Sequence, residues 1–448
     1  MRFIETIKNI WKIEDLRGRL LTTLLFVLIY RFGSFIVLPG IDPTALSALH
    51  SQTAGGLMAL LDMFSGGAFS NASIFALGIM PYISASIVIQ LLSIAVPYFQ
   101  KMQKEGESGR QKMNQITRYL TVAILLFQGP SYLINLTRQL QIDSLGFDTP
   151  EHAWFTISST ILLCAGSMFV MWLGERITDR GIGNGISFII LIGIIARLPG
   201  ALLQEFTSRL ADTGGGLIMF LLEIVILILV VAFAVLLVQG TRRIPVQYAK
   251  RIQGNKQYGG VRQYIPLKVN AANVMPIIFA QAIMFIPIAF IGFRSNSEPS
   301  AFTMAFMNND GFWYNLVFAL LIIAFTYFYT AIIINPVQMA ENLKLNNGFI
   351  PGVKPGKKTA EYIDTIMSRI TLPGSILLAI IAILPAFARL LNIQPGFAQF
   401  FGGTSLLIMV GVILDTLQQI ESHLLMRHYD GFFDSGMRIK GRSGAMAY

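Results

Sequence analysis

Charged residues are scarce in this sequence. Only 13% of its 448 residues are Asp, Glu, Lys or Arg, whereas 54% are hydrophobic. A typical soluble domain carries about 25% charged residues. The shortage excludes an ordinary soluble domain and indicates a protein that crosses a membrane several times.

Cysteine and histidine are almost absent as well. Cys164 is the single cysteine, so the chain forms no internal disulfide. The four histidines, His50, His152, His423 and His428, stand at unrelated positions. The sequence therefore predicts neither a disulfide-stapled ectodomain nor a metal cluster, and we expect no cofactor.

No catalytic arrangement stands out in the sequence. The segment GVKPGKKT resembles a phosphate-binding loop, but Pro351 and Lys358 occupy the places of the required glycine and hydroxyl residue. Acidic residues inside the apolar runs are few, namely Glu223, Asp415 and Glu421. We therefore predict that the chain is not an enzyme, and the scarcity also counts against a proton-coupled transporter.

Long apolar runs are what the sequence has instead. Runs of about 20 apolar residues are the length that crosses a bilayer as a helix. The sequence predicts an all-α membrane protein with ten transmembrane helices, at about 20–38, 74–96, 116–137, 153–174, 184–204, 215–239, 272–293, 312–335, 370–388 and 403–426.

The basic residues fall on one side of these ten predicted spans. If the N-terminus is cytosolic, the inner segments hold 28 of the 34 Lys and Arg residues. Lys and Arg are enriched in cytoplasmic loops. The sequence thus predicts that both termini are cytoplasmic, with an amphipathic N-terminal helix over 1–19 and a tail over 427–448.

The stretch from 55 to 97 is longer than one span requires. After Asp62 it has no charged residue for 38 positions. Its first part has apolar residues at helical spacing, and it then breaks at three small residues, which lower helix propensity. We predict a short half-helix, a hinge and a transmembrane helix; an ordinary re-entrant or surface loop is the alternative. The half-helix residues are Leu57, Leu60, Leu61 and Phe64, and the break consists of Ser65, Gly66 and Gly67.

Two inner loops, 240–271 and 336–369, are longer than a tight connection needs. The first has seven Lys or Arg and no acid, with apolar residues in β-like alternation. We predict a hairpin arm that offers Arg242, Arg243, Lys250 and Arg251 to a phosphate-rich or acidic surface, including RNA. The alternative for both loops is topogenic charge with lipid-headgroup contact.

Seven blocks of the sequence, in order, together form a specific pattern. They are SGGAFSNASIFALGIMPYISASIVIQLL (65–92), KEGESGR (104–110), ERITDRGIGNGIS (175–187), TRRIPVQYAKR (241–251), KVNAANVMPIIFA (268–280), GFIPGVKPGKKTAEYI (348–363) and FGGTSLLI (401–408). With these blocks the chain resembles the SecY/Sec61-alpha family of protein-conducting channels. Lys354 departs from the family pattern, which usually has an arginine there. Lysine keeps the charge but lacks the planar fork for bidentate contacts.

The resemblance implies two inverted, pseudo-symmetric halves of five helices, 20–205 and 206–426, around a pore. The short re-entrant helix at about 57–72 would be a plug, and a lateral gate would separate spans two and three from spans seven and eight. A ring of aliphatic side chains would close the pore, because a narrow apolar ring holds no stable water column. On matching positions the ring is Ile79, Ile83, Ile186, Ile190, Ile278 and Ile408.

The resemblance also implies partners and a location. SecE and SecG subunits would pack alongside, and the SecA ATPase motor or the ribosome would dock on the basic loops, where Lys354 and Lys357 join the four hairpin residues. Signal sequences, unfolded preproteins and membrane lipid would be the other partners. The expected location is the bacterial plasma (inner) membrane.

The resemblance therefore implies the central subunit of a Sec protein translocase, a passive gated channel. It would move unfolded secretory proteins across the membrane and release membrane segments laterally into it. The alternative is a secondary transporter built from inverted repeats, which a glycine-broken half-helix would equally suggest.

Overall fold

The computed structural model describes residues 13–41, 62–139, 150–211, 216–248, 251–253, 256–258, 262–281, 283–284 and 311–434. Helices dominate the first part of the chain. Two prolines start helices here, Pro81 near the start of α2 and Pro97 at the start of α3, where the missing N–H costs nothing. The helices are α1 Glu14–Gly33, α2 Met80–Ala95, α3 Pro97–Lys104, α4 Glu107–Gln139, α5 Pro150–Arg180 and α6 Gly185–Ala211.

The second part of the chain adds more helices and five short strands. Its elements are α7 Gly216–Gln239, β1 Thr241–Tyr248, β2 Arg251–Gln253, β3 Lys256–Tyr258, β4 Arg262–Lys268, α8 over 275–281, α9 Phe312–Ile333, α10 Pro336–Leu345, β5 Gly348–Phe349, α11 Lys357–Leu390, α12 Pro395–Ala398 and α13 Gly403–Asp434. A 3₁₀ turn over Gln399–Phe401 joins α12 to α13. The helical membrane fold predicted from the apolar runs is confirmed.

Six of the described helices are long and apolar enough to cross a membrane, and the number is seven if one broken pair counts as a span. That pair is Met80–Ser93 and Pro97–Gln103, whose axes differ by 101°. The predicted seventh span is described only at 275–281 and 283–284. The count of ten spans is consistent with these helices and stays a prediction.

The predicted start of the second span and end of the first are wrong. Helix α1 ends at Gly33 and not near 38, and α2 begins at Met80 and not near 74. The two intervening segments pair with each other: the N–H of Leu38 donates to the carbonyl of Ala72 at 2.9 Å, and that of Ile74 to Ile36 at 3.0 Å. Their backbone groups thus find partners outside a helix, as any backbone in an apolar environment must.

The predicted hairpin in loop 240–271 is confirmed. Strands β1 and β4 pair antiparallel from Thr241↔Lys268 to Gln247↔Arg262, and β2 pairs with β3 farther along the arm. Strand β5, from the other basic loop, pairs with the end of β1 to give the sheet order β4-β1-β5. The two long loops are therefore parts of one structural unit.

Two large apolar clusters build the interior. One lies within the second half of the chain and joins α7, α8, α9, α11 and α13. The other joins α1, α2, α5 and α6 to α13, with side chains of α8 packed against it. This second cluster is where the predicted halves meet, and it holds the residues of the candidate site. Helix α6 continues to Ala211, past the predicted boundary of the halves at 205.

Candidate functional site

The helix break predicted at Ser65-Gly66-Gly67 is present. A single helical turn over 62–64 precedes it, and consecutive hydrogen-bonded turns follow as far as 79. Gly66 and Gly67 have φ values of +65° and +94°, a backbone region that favours glycine. Leu57, Leu60 and Leu61, the rest of the predicted half-helix, lie outside the described residues.

A buried carboxylate anchors this segment to α6. Asp62 is only 2% exposed and forms an ion pair with Arg197. Its Oδ1 also accepts a hydrogen bond from the backbone N–H of Ser70 at 2.8 Å. Arg197 Nη2 donates to the Oγ of Ser70 at 2.8 Å. One arginine thus binds both ends of a short loop, and the carboxylate is compensated by charge and by hydrogen bonds.

Helix α1 holds the same loop from another side. The Tyr30 hydroxyl donates to the carbonyl of Ser65 at 3.0 Å, and Arg31 Nη1 donates to that of Gly66 at 2.8 Å. A Cβ atom on Gly66 would lie 2.7 Å from the Cα of Gly193 on α6. The glycine therefore permits both the left-handed turn and the close approach of two backbones.

The six isoleucines predicted for the ring belong to one apolar cluster. Three are buried members of it and three pack against it half-buried; the buried ones are Ile79, Ile190 and Ile408, and the half-buried ones are Ile83, Ile186 and Ile278. Met63 and Phe64 from the anchored segment are buried in the same cluster. The structure thus brings together the predicted ring and the described end of the predicted plug.

Ile79 and Ile83 are four residues apart, a spacing that places two residues on one face of a helix. In the structure Ile79 is the residue before α2, not part of the helix. The N–H of Ile83 nevertheless donates to the carbonyl of Ile79 at 3.1 Å, so the two remain one turn apart. Ile186 and Ile190 both lie within α6.

Helix α2 also contacts α8 and α9 across the predicted gate, since α2 belongs to one side of it and α8 and α9 belong to the other. The Tyr329 hydroxyl on α9 donates to Gln90 Oε1 on α2. Phe279 on α8 packs edge-on against Tyr329, with ring centroids 4.9 Å apart, and Ile87 belongs to the same small cluster. The contact is mostly aromatic and aliphatic, with one polar pair.

The predicted docking residues lie on the unit built from the two loops. The buried side of this unit is apolar: Ile244, Val246 and Leu267 pack with residues of α10 and α11. Its other side carries four exposed cations. Arg242 and Arg243 lie on β1, Lys354 lies in the loop before α11, and Lys357 begins α11. Arg251 begins β2, and Lys250 lies outside the described residues.

Sequence reasoning missed the polar groups that fix the site. Arg31 and Arg197 are two of the six Lys and Arg residues outside the predicted inner segments, and Asp62 marks only the start of the uncharged run. Arg31 and Arg197 lie within the predicted spans 20–38 and 184–204, and charged residues inside spans are rare and usually functional, which is the signal that could have found these two. For Tyr329 and Gln90 the sequence offers no such signal. Among the described residues, no group of three or more potential ligands could hold a metal ion.

The chain is similar to known proteins along most of its length. The SecY family model matches residues 73–417. The protein translocase subunit SecY of Streptomyces scabiei is 44% identical over 432 residues, which cover 94% of this chain and 98% of the relative.

Two solved structures share the fold. One is a SecY channel whose plug domain is described as stabilising the closed state and maintaining a membrane seal; it has a TM-score of 0.60 and 18% identity and covers 94% of this chain and 95% of that one. The other is Sec61 in a canine ribosome–channel complex from the endoplasmic reticulum, with a TM-score of 0.56, 16% identity and the same coverage.

These similarities decide between the two functions that the sequence left open. The family model covers most of the chain, and the relative is 44% identical to it. These two findings rule out the alternative of a secondary transporter. The anchored loop, the isoleucine cluster and the basic hairpin all lie in a chain of the same length and fold as its relatives. We conclude that this chain belongs to the SecY family.

Proposed function

We propose that this chain is the channel-forming subunit of a protein translocase. It is a passive, gated channel that passes unfolded secretory proteins across the membrane and releases membrane segments sideways into the lipid. The observation that carries this proposal is the convergence of six isoleucines from four parts of the chain with Met63 and Phe64 in one cluster. A dry aliphatic constriction blocks ions, yet it yields around a translocating chain.

The predicted parts have distinct roles in this proposal. Residues 57–72 are the plug, Ile79, Ile83, Ile186, Ile190, Ile278 and Ile408 form the ring, and halves 20–205 and 206–426 move apart at the gate between α2 and α8–α9. Two arginines on α1 and α6 bind the plug segment, which supports a closed resting arrangement. The chain belongs to a family of channels, so it is not an enzyme, and the energy for transport comes from a partner.

The partners follow from the exposed cations. Arg242, Arg243, Lys250, Arg251, Lys354 and Lys357 form a cytoplasmic docking surface for the ribosome or the SecA motor. Ribosomal RNA and acidic protein surfaces both attract such cations over long distances. SecE and SecG complete the assembly in the bacterial plasma membrane, with both termini of this chain in the cytoplasm and its apolar helix faces against lipid.

Site-specific crosslinking of a stalled secretory precursor tests the channel. A photoreactive amino acid at Ile83 or Ile278 is expected to crosslink to the precursor in the presence of the motor. The matched control is Ile218 on α7, an isoleucine that is 72% exposed on the lipid-facing side. The proposal would be wrong if Ile218 crosslinked to the precursor in the same yield as Ile83 and Ile278, or if neither ring position crosslinked.

Reversing the charges of Arg242 and Arg243 to glutamate is expected to weaken motor or ribosome binding about tenfold, which corresponds to roughly 1.4 kcal/mol. The reason is that two exposed cations become anions opposite an acidic partner. The measurement is co-flotation with proteoliposomes at low and high salt, and salt should shrink the difference. Lys101→Glu, an exposed reversal on α3, is the control. Equal losses in both variants would favour a topogenic role for the charge.

A further inference from the structure

A cavity of about 430 Å³ is lined by residues of α4 and α5, and none of its lining residues belongs to the isoleucine cluster. Its size is in the range of small-ligand sites, about 300–1,000 Å³. Its inner wall is apolar and is formed by Met168, Met171 and Trp172. Trp172 is 42% exposed, so the cavity opens to the outside of the helix bundle and not to its interior.

The cavity lies where the apolar part of both helices ends. On α5 no charged residue occurs from 153 to 174, and Glu175 is the first that follows. On α4 none occurs from 119 to 137, and Arg118 precedes that run. Both charged residues line the cavity. It therefore sits at the boundary between hydrocarbon and headgroups, where a tryptophan is also typical.

The cavity is lined by two cationic and two anionic side chains, and one cation and one anion form an ion pair with each other. Arg118 donates to both carboxylate oxygens of Glu175, from Nε at 3.2 Å and from Nη2 at 2.8 Å. This bidentate pair leaves Arg176 and Asp179. Neither of these two has an ion-pair partner within the described part of the chain, and their spacing of three residues places them side by side on one helix face.

Arg176 lies over the aromatic ring of Trp172. Its guanidinium carbon lies 5.4 Å from the centroid of the Trp172 ring. Trp172 in turn stacks on Phe169, with centroids 5.7 Å apart. A guanidinium that lies over an aromatic ring keeps its donors free for a bidentate acceptor such as a phosphate.

We propose that this cavity binds the headgroup of a phosphatidylethanolamine from the surrounding bilayer. Arg176 binds the phosphate, Asp179 accepts hydrogen bonds from the ammonium group, and the acyl chains begin along Met168 and Trp172. A singly anionic headgroup would bring its charge next to Asp179 and Glu175 without offering a cation. A phosphatidylcholine would lack the N–H donors that Asp179 can accept.

Native mass spectrometry tests this site. The purified protein is equilibrated with equimolar phosphatidylethanolamine, phosphatidylcholine and phosphatidylglycerol, and the retained lipids are counted. We expect phosphatidylethanolamine to be retained about threefold more than either competitor, which corresponds to roughly 0.65 kcal/mol and lies within the range of exposed ion pairs. Arg176→Gln should lower its retention to the level of phosphatidylcholine.

The nearly isosteric variant Asp179→Asn gives the sharper result. Removing the carboxylate should lower phosphatidylethanolamine retention and raise that of phosphatidylglycerol, so that the preference reverses. Arg180→Gln, an exposed change on the same helix that does not line the cavity, is the control and should leave the preference unchanged. Equal retention of all three lipids, a wild-type preference for phosphatidylglycerol, or an unchanged preference in Asp179→Asn would each overturn the proposal. Full displacement by free phosphoethanolamine would overturn it as well, because the acyl chains would then add nothing.

Discussion

Replacing Arg197 with methionine is expected to open the resting channel to ions. The change leaves Asp62 buried without its cation. Removing one partner of a buried pair costs about 3–5 kcal/mol, and we expect about 3 kcal/mol because 36% of the Arg197 side chain is exposed. That free energy raises the population of the unanchored plug roughly a hundredfold. The measurement is ion conductance of the purified channel in planar bilayers.

A double-mutant cycle separates the ion pair from other effects of Arg197. In Asp62→Asn/Arg197→Met the buried charge is gone, while the side-chain oxygen of residue 62 can still accept the hydrogen bond from Ser70. The double variant should therefore leak less than Arg197→Met alone, which would be a non-additive result. If both variants leak equally, or if Arg197→Met conducts no more than the wild type, the anchoring role is wrong.

Replacing Ile408 with asparagine is expected to hydrate the constriction. Ile408 is 3% exposed and lies in the same cluster as Phe64. Burying an amide without a partner costs about 1–3 kcal/mol, so water is expected to enter and satisfy it. A wetted ring conducts ions and binds a weakly apolar signal sequence more readily. The measurements are ion leak in proteoliposomes and export of a preprotein whose signal sequence has a shortened apolar core.

Ile408→Val is the matched control for size. It removes one methylene at a cost of about 0.5–1.5 kcal/mol and keeps the ring apolar. Ile278→Asn, at a half-buried position of the same cluster, tests a second member of the ring without relying on the fold of α13. Should the asparagine variants leak no more than the valine variant and keep the wild-type stringency for signals, these isoleucines are core and not a ring.

Several local features were correctly predicted from the sequence. The break at Ser65-Gly66-Gly67 was predictable because glycine lowers helix propensity wherever the chain goes. The β1–β4 hairpin was predictable from alternating apolar residues, since strand side chains alternate between two faces. The end of α1 and the start of α2 were not predictable. Residues 36–38 are non-helical because they pair with residues 72–74, which are distant in the sequence.

The burial of individual residues could not be predicted in the same way. In a soluble helix the apolar stripe marks the buried face, but in lipid the outer face is apolar too. Ile190 is 4% exposed and Ile195, on the same helix, is 40% exposed. Nothing in their sequence neighbourhood separates them. The resemblance to a family, and not periodicity, selected Ile190 for the ring.

The sequence by itself determined the helical membrane class, the glycine break and the concentration of cations in the two long loops, because hydropathy, backbone propensity and charge are properties of short segments. The tertiary structure alone decided which distant groups meet. Arg197 reaches Ser70 across 127 positions, and Tyr329 reaches Gln90 across 239. Such contacts depend on how helices pack, and one polar group in an apolar interior binds whichever partner packing brings within reach.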